Sequence, residues 1–73
     1  MTKYKINDHV MVIRQYREYL ATSDDDYSNL MHGDICKILK INENRKTYLI
    51  KKLGTNKKSE YAWFFEDGIK LVV

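Results

Sequence analysis

Seventy-three residues with a net charge of +3 and a sequence pI near 9.0 make one small domain over residues 1–73, too small for a two-domain enzyme. A chain this short buries only about 60% of its unfolded surface, so its 44% hydrophobic content must serve one core and leaves little for a deep substrate pocket. A single cysteine, Cys36, excludes an internal disulfide, no His/Cys cluster has zinc-ligand spacing, and the longest apolar run, Trp63-Phe64-Phe65, cannot form a membrane span or a signal-peptide core.

Residues 9–14 (HVMVIR) follow Asn7-Asp8 and are rich in β-branched side chains, which predicts a first strand. From Gln15 to His32 the pattern dissolves into a long polar loop that carries Asp24-Asp25-Asp26 and admits a helical turn at residues 16–20. After Gly33-Asp34, residues 35–41 predict a second strand, residues 42–45 a polar turn and residues 47–53 a third strand, together a hairpin. Residues 54–58 form another polar turn, and residues 59–65 the fourth and most aromatic strand. Glu66-Asp67-Gly68 predicts a 3₁₀ turn and residues 69–73 a last short strand. Five short strands, no amphipathic helix and one long first loop argue an all-β domain, a small antiparallel barrel whose closure removes exposed edges. The expected core is Val10, Val12, Ile35, Cys36, Ile38, Leu49, Ile50, Ala62, Phe64, Ile69 and Leu71.

The run from Asp24 through Tyr27-Ser28-Asn29-Leu30 to Gly33-Asp34-Ile35 resembles the acidic loop tip and diverging turn of SH3 domains. The run from Ala62-Trp63-Phe64-Phe65 through Glu66-Asp67-Gly68 to Val72 resembles that family's final segment: small residue, aromatic, core apolar residue, 3₁₀ turn, alternating strand. The likeness spans residues 8–73 and extends to the SH3-like barrels of small bacterial and bacteriophage proteins. It implies a five-stranded SH3-like barrel with Ala62 and Phe64 turned inward and Trp63 and Phe65 outward. The polyproline grip of the family is not carried over. Phe65 stands where a Pro precedes the 3₁₀ turn, Gly68 where a ligand-packing Tyr lies, and Tyr48-Leu49 where the third strand has a double Trp.

No nucleophile, base and oxyanion donor assemble in the sequence, so a non-enzyme is expected, without cofactor or metal. His9 and His32 read as surface groups and Cys36 as a small buried hydrophobe. Asp24-Asp25-Asp26 lack the alternating spacing and terminal Glu of a calcium loop. Two features remain. Along the fourth strand, period-two alternation sets Tyr61, Trp63 and Phe65 on one face, where the long loop brings Tyr16 and Tyr19 near; these rings either seal the loop or anchor an interface. Charge is the second: the chain has four basic and six acidic residues up to Asp34 but nine and four from Ile35 on. Lys37, Lys40, Arg45, Lys46, Lys51, Lys52, Lys57 and Lys58 gather on the hairpin and the turn after it, as a phosphate-binding patch or a solvated face.

The leading expectation is a stand-alone, cytoplasmic, protein-binding module, a phage or mobile-element product that docks on a bacterial host protein and modulates or inhibits it. Its contact residues would be Tyr16, Tyr19, Trp63 and Phe65, with Asp24, Asp25 and Asp26 steering basic groups of the partner. The alternative is a DNA- or RNA-binding barrel that uses the lysine-rich hairpin. Self-association is a third reading, and no membrane partner is expected.

Overall fold

The computed structural model describes residues 2–18, 30–54 and 61–72. These form one six-stranded antiparallel sheet in the order β2-β5-β4-β3-β1-β6. The strands are β1 (His9–Val12), β2 (Arg17–Glu18), β3 (Ile35–Asn42), β4 (Thr47–Lys52), β5 (Tyr61–Phe65) and β6 (Ile69–Leu71). A 3₁₀ turn, Glu66–Gly68, joins β5 to β6 as the sequence predicts. Among the described residues no helix is long and apolar enough to cross a membrane.

Two expectations about architecture change. Among the described residues the strands do not close: β2 and β6 are the two ends of the ladder order, with no pairing between them, so the described sheet is open in its hydrogen bonding rather than a closed barrel. The helical turn admitted at residues 16–20 is instead extended at Arg17–Glu18, which pairs with Trp63 and Phe64 of β5 and makes six strands where five were expected. Pairing to an existing strand satisfies backbone groups that one isolated polar helical turn would leave to water.

One face of the sheet carries the whole core. Val10 and Val12 of β1, Cys36 and Ile38 of β3, Tyr48 and Ile50 of β4, Ala62 and Phe64 of β5, and Ile69 of β6 are all buried, joined by Tyr4 and Leu30. Among the described residues no α-helix packs on that face, and a twisted sheet that curls over its own inner side accounts for such burial. The expected core is correct at eight positions and wrong at three. Ile35 and Leu49 are only half-buried and Leu71 is exposed, while Tyr4, Leu30 and Tyr48 enter. Consecutive strand residues face opposite sides, so burying Cys36 turns Ile35 outward and burying Ile50 turns Leu49 outward and Tyr48 inward. Leu71 is aligned with Val10, but it lies at the end of an edge strand and stays 39% exposed.

A β-bulge sets the register of the hairpin. From the pair Asn42↔Thr47 a regular ladder would place Lys37 opposite Lys52 and Ile38 opposite Lys51. The bulge between Ile38 and Lys40 instead sets Ile38 opposite Ile50 and Lys37 opposite Lys51. The extra residue, Leu39, thus lets Cys36, Ile38 and Ile41 all serve the inner side of one strand while Lys37 and Lys40 turn out. At the tip, Asn42 Oδ1 accepts the Arg45 amide at 3.2 Å and Lys46 takes a left-handed φ of 55°.

A buried hydroxyl ties the chain's first residues to this frame. Tyr48 Oη accepts the amides of Lys3 at 3.1 Å and Tyr4 at 3.4 Å and donates to Glu66 Oε2 at 2.7 Å. Burial and the hydrogen bond to Glu66 push the Tyr48 phenol up to about 12.

Candidate functional site

The candidate site residues lie largely on the face opposite the core, and the register decides which side chains share it. Three rows cross the strands. The first runs Asn42, Thr47, Phe65; the second Lys40, Leu49, Trp63, Glu18; the third His9, Lys37, Lys51, Tyr61. Neighbouring strands are about 4.8 Å apart and same-face residues along one strand about 6.8 Å, so adjacent rows are within reach of long side chains.

At one end of this face Tyr16 stacks on Phe65, ring centroids 4.6 Å apart and planes 30° from parallel. Tyr16 is held there by its backbone: its carbonyl accepts the Phe65 amide at 3.0 Å. The approach depends on Gly68, where an added Cβ would come within 2.8 Å of the Tyr16 carbonyl oxygen and 3.0 Å of the Phe64 ring. The residue that departs from the SH3 pattern in the 3₁₀ turn is thus what admits the incoming loop. Tyr16 keeps 48% of its surface exposed, and Trp63 and Phe65 are half-buried.

Beside Trp63, Glu18 is ion-paired with Arg45 of the hairpin turn, the Glu18 side chain being only 10% exposed. Arg17, the alternate residue, faces the other way and sets its guanidinium over the Phe64 ring, 4.8 Å from the centroid, donating to the Leu30 carbonyl at 2.9 Å. It closes the end of the core with a cation–π contact. An open groove of about 630 Å³ lies between the N-terminal segment and the β3–β4 turn, lined by Ile6, Trp63, Lys40, Ile41 and residues 42–44 of the turn.

The sequence-predicted sites are brought together only in part. Tyr16, Trp63 and Phe65 share the outer face as expected, and so do Lys37, Lys40 and Lys51. Lys52 instead pairs with Cys36 in the inner register and reaches Asp34 at 3.7 Å, Arg45 is held by Glu18, and Lys46 lies in the turn. Tyr19, Asp24, Asp25, Asp26, Lys57 and Lys58 lie outside the described residues. Tyr61, His9 and Ile6 were not among the expected site residues. Only the ladder register brings Tyr61 and His9 into the lysine row, and that register depends on the bulge.

Three reactive side chains take part in the frame: Glu66 accepts from Tyr48, Asp34 Oδ2 accepts the Met31 amide at 2.9 Å, and Cys36 is buried with Sγ 4.0 Å from the Asp34 carbonyl. What the outer face offers is a surface of flat rings and flexible cations. Compared with known proteins, the chain finds no counterpart: no family model, no curated protein and no solved structure matches it.

Proposed function

We propose that the chain is a small, non-catalytic binding module that works through the outer face of its sheet, and that its partner is a nucleic acid. The observation that carries this reading is the register that sets the cations of β3 and β4 beside the rings of β5, Lys37 and Lys51 in one row with Tyr61, and Lys40 one residue removed from Trp63 across Leu49. Lysines supply sequence-independent attraction to phosphates, and aromatic rings beside them supply stacking, the two contributions a nucleic-acid surface combines. Along the chain these residues lie too far apart for the combination to be visible. A gel-shift titration at low and moderate salt tests it: retardation that weakens steeply as salt rises supports the reading, and no retardation at low salt removes it.

The second reading keeps a protein partner, and the Tyr16–Phe65 stack favours it, because a stacked ring pair at the edge of a face, with Tyr16 48% exposed, is a common form of interface anchor. In that reading the chain is an SH3-like module of bacteriophage or mobile-element origin that docks on a bacterial host protein. Three features support the SH3-like part: β2 returns to pair with β5, the 3₁₀ turn follows β5, and β6 lies beside β1. If nucleic acid is not bound, retention of one protein by the wild-type chain and its loss with Tyr16→Ser decides for this alternative.

A further inference from the structure

Resting on the nucleic-acid reading, we propose that the outer face takes a single strand rather than a duplex. One base stacks on Trp63 within the groove, a second on Tyr61, and the phosphates between and beyond them lie along Lys37, Lys40 and Lys51. The rings themselves argue for an opened strand. Trp63 and Tyr61 are alternate residues of β5, so they are spaced about 6.8 Å apart, twice the step of about 3.4 Å between stacked bases. Two bases cannot rest flat on the two rings while still stacked on each other, and a duplex exposes only base edges. A strand with its bases splayed meets both conditions.

Charge fixes where the phosphates go. His9, Lys37 and Lys51 form one cross-strand row, and Lys40 stands in the next. Glu18, the acid in the Trp63 row, is already occupied by Arg45. Lys40 and Glu43 both line the groove and offset each other in charge, so the groove suits an uncharged base, and the backbone runs toward Lys37 and Lys51. The groove volume of about 630 Å³ falls within the roughly 300–1,000 Å³ of small-ligand sites. Its polar members Asn42 and Asn44 carry amides, able to donate to and accept from a base edge.

The test uses the full chain and three probes: an oligothymidylate and an oligouridylate of about 12 nucleotides, inside the ~4–16-nucleotide sites of small single-strand-binding barrels, and a mixed-sequence duplex of the same length. Trp63 is the sole tryptophan, so its emission reports the site directly. The expected result is single-strand binding at least about tenfold tighter than duplex binding, quenching of Trp63 emission, and roughly tenfold weaker single-strand binding for Trp63→Leu by polarisation. Lys37→Gln with Lys51→Gln should lower the salt slope by about 1.4, two phosphates' worth for a single strand, with an unchanged melting temperature. Should Trp63→Leu fail to fold, Tyr61→Leu carries the same comparison. Duplex binding as tight as single-strand binding, or single-strand binding that leaves Trp63 emission and both ring variants unaffected, overturns the single-strand site while the nucleic-acid reading stands. Failure to bind any of the probes at low salt overturns both.

Discussion

The two faces of this sheet are made by the same strands and differ in what completes them. On the inner face Val10, Val12, Cys36, Ile38, Tyr48, Ile50, Ala62, Phe64 and Ile69 close on one another, and the Tyr48 hydroxyl and one terminal nitrogen of Arg17 find partners there. On the outer face Trp63, Phe65, Leu49 and Tyr61 remain half-buried beside cations. Half-buried rings on a chain with little core material are apolar surface still available for burial, and this is the face that the proposed binding uses. The inner face is saturated; the outer face is the one with surface left to bury.

The sharpest way to break that comparison is to truncate one ring on each face of β5. Phe64→Ala should cost about 3–5 kcal/mol, a large part of the roughly 4–11 kcal/mol that a domain of this size has in total, and leave the protein largely unfolded by circular dichroism. Trp63→Ala, one residue away, should cost about 1 kcal/mol, in line with a solvent-side cross-strand contact. Equal losses in the two melting curves would mean that the outer rings are a second core.

Gly68→Ala comes next. Its Cβ would press on the Tyr16 carbonyl at 2.8 Å, a backbone atom that cannot swing aside, and the expected cost is about 1–3 kcal/mol. Because the clash falls on the segment that carries Tyr16, amide exchange at Phe65 should accelerate more than at Ile50. Uniform acceleration across the sheet would show that the segment is not a separate lid over the outer face.

Tyr48→Phe tests how fully the inner face is satisfied. Removing the hydroxyl orphans the Lys3 and Tyr4 amides and the Glu66 carboxylate, at a cost of about 1–2 kcal/mol in denaturant melts. The wild type should also weaken in alkali. Because the folded phenol is held at about 12 against an ordinary 10.0, its contribution is complete below pH 10 and is lost as pH rises through about 12. Tyr48→Phe should flatten that part of the stability profile, and an unchanged alkaline limb would contradict the assignment.

The smallest effect belongs to Thr47, fully buried on the outer side between Asn42 and Phe65, with a hydroxyl that finds no partner among the described residues. Thr47→Val replaces that hydroxyl by a methyl group and should stabilise the protein by about 1 kcal/mol in thermal melts. Destabilisation would mean that the hydroxyl has a role the static structure does not display.

Much of this was legible in the residues. Alternation along β5 separates Ala62 and Phe64 from Trp63 and Phe65 without any structure, because successive strand side chains must face opposite ways. Turn residues marked the hairpin, and Glu66-Asp67-Gly68 marked the 3₁₀ turn, because their local chemistry fixes the backbone within a few residues. The choice between neighbours in an apolar run was not legible. Ile35 and Cys36, or Leu49 and Ile50, are equally suited to a core, and only the pairing partners decide which member turns inward.

By itself, then, the sequence determined an all-β domain, the places where the chain turns, and an aromatic row set against the core, since these follow from short-range periodicity and local backbone preference. The tertiary structure decided the rest. An unpaired Leu39 shifts the hairpin register by one residue, and with it Lys37 moves from facing Lys52 to facing Lys51 and lines up with Tyr61. Which cation meets which ring is a property of strands that meet through long-range pairing, and a one-residue slip, invisible in the linear chain, exchanges every side chain between the two faces.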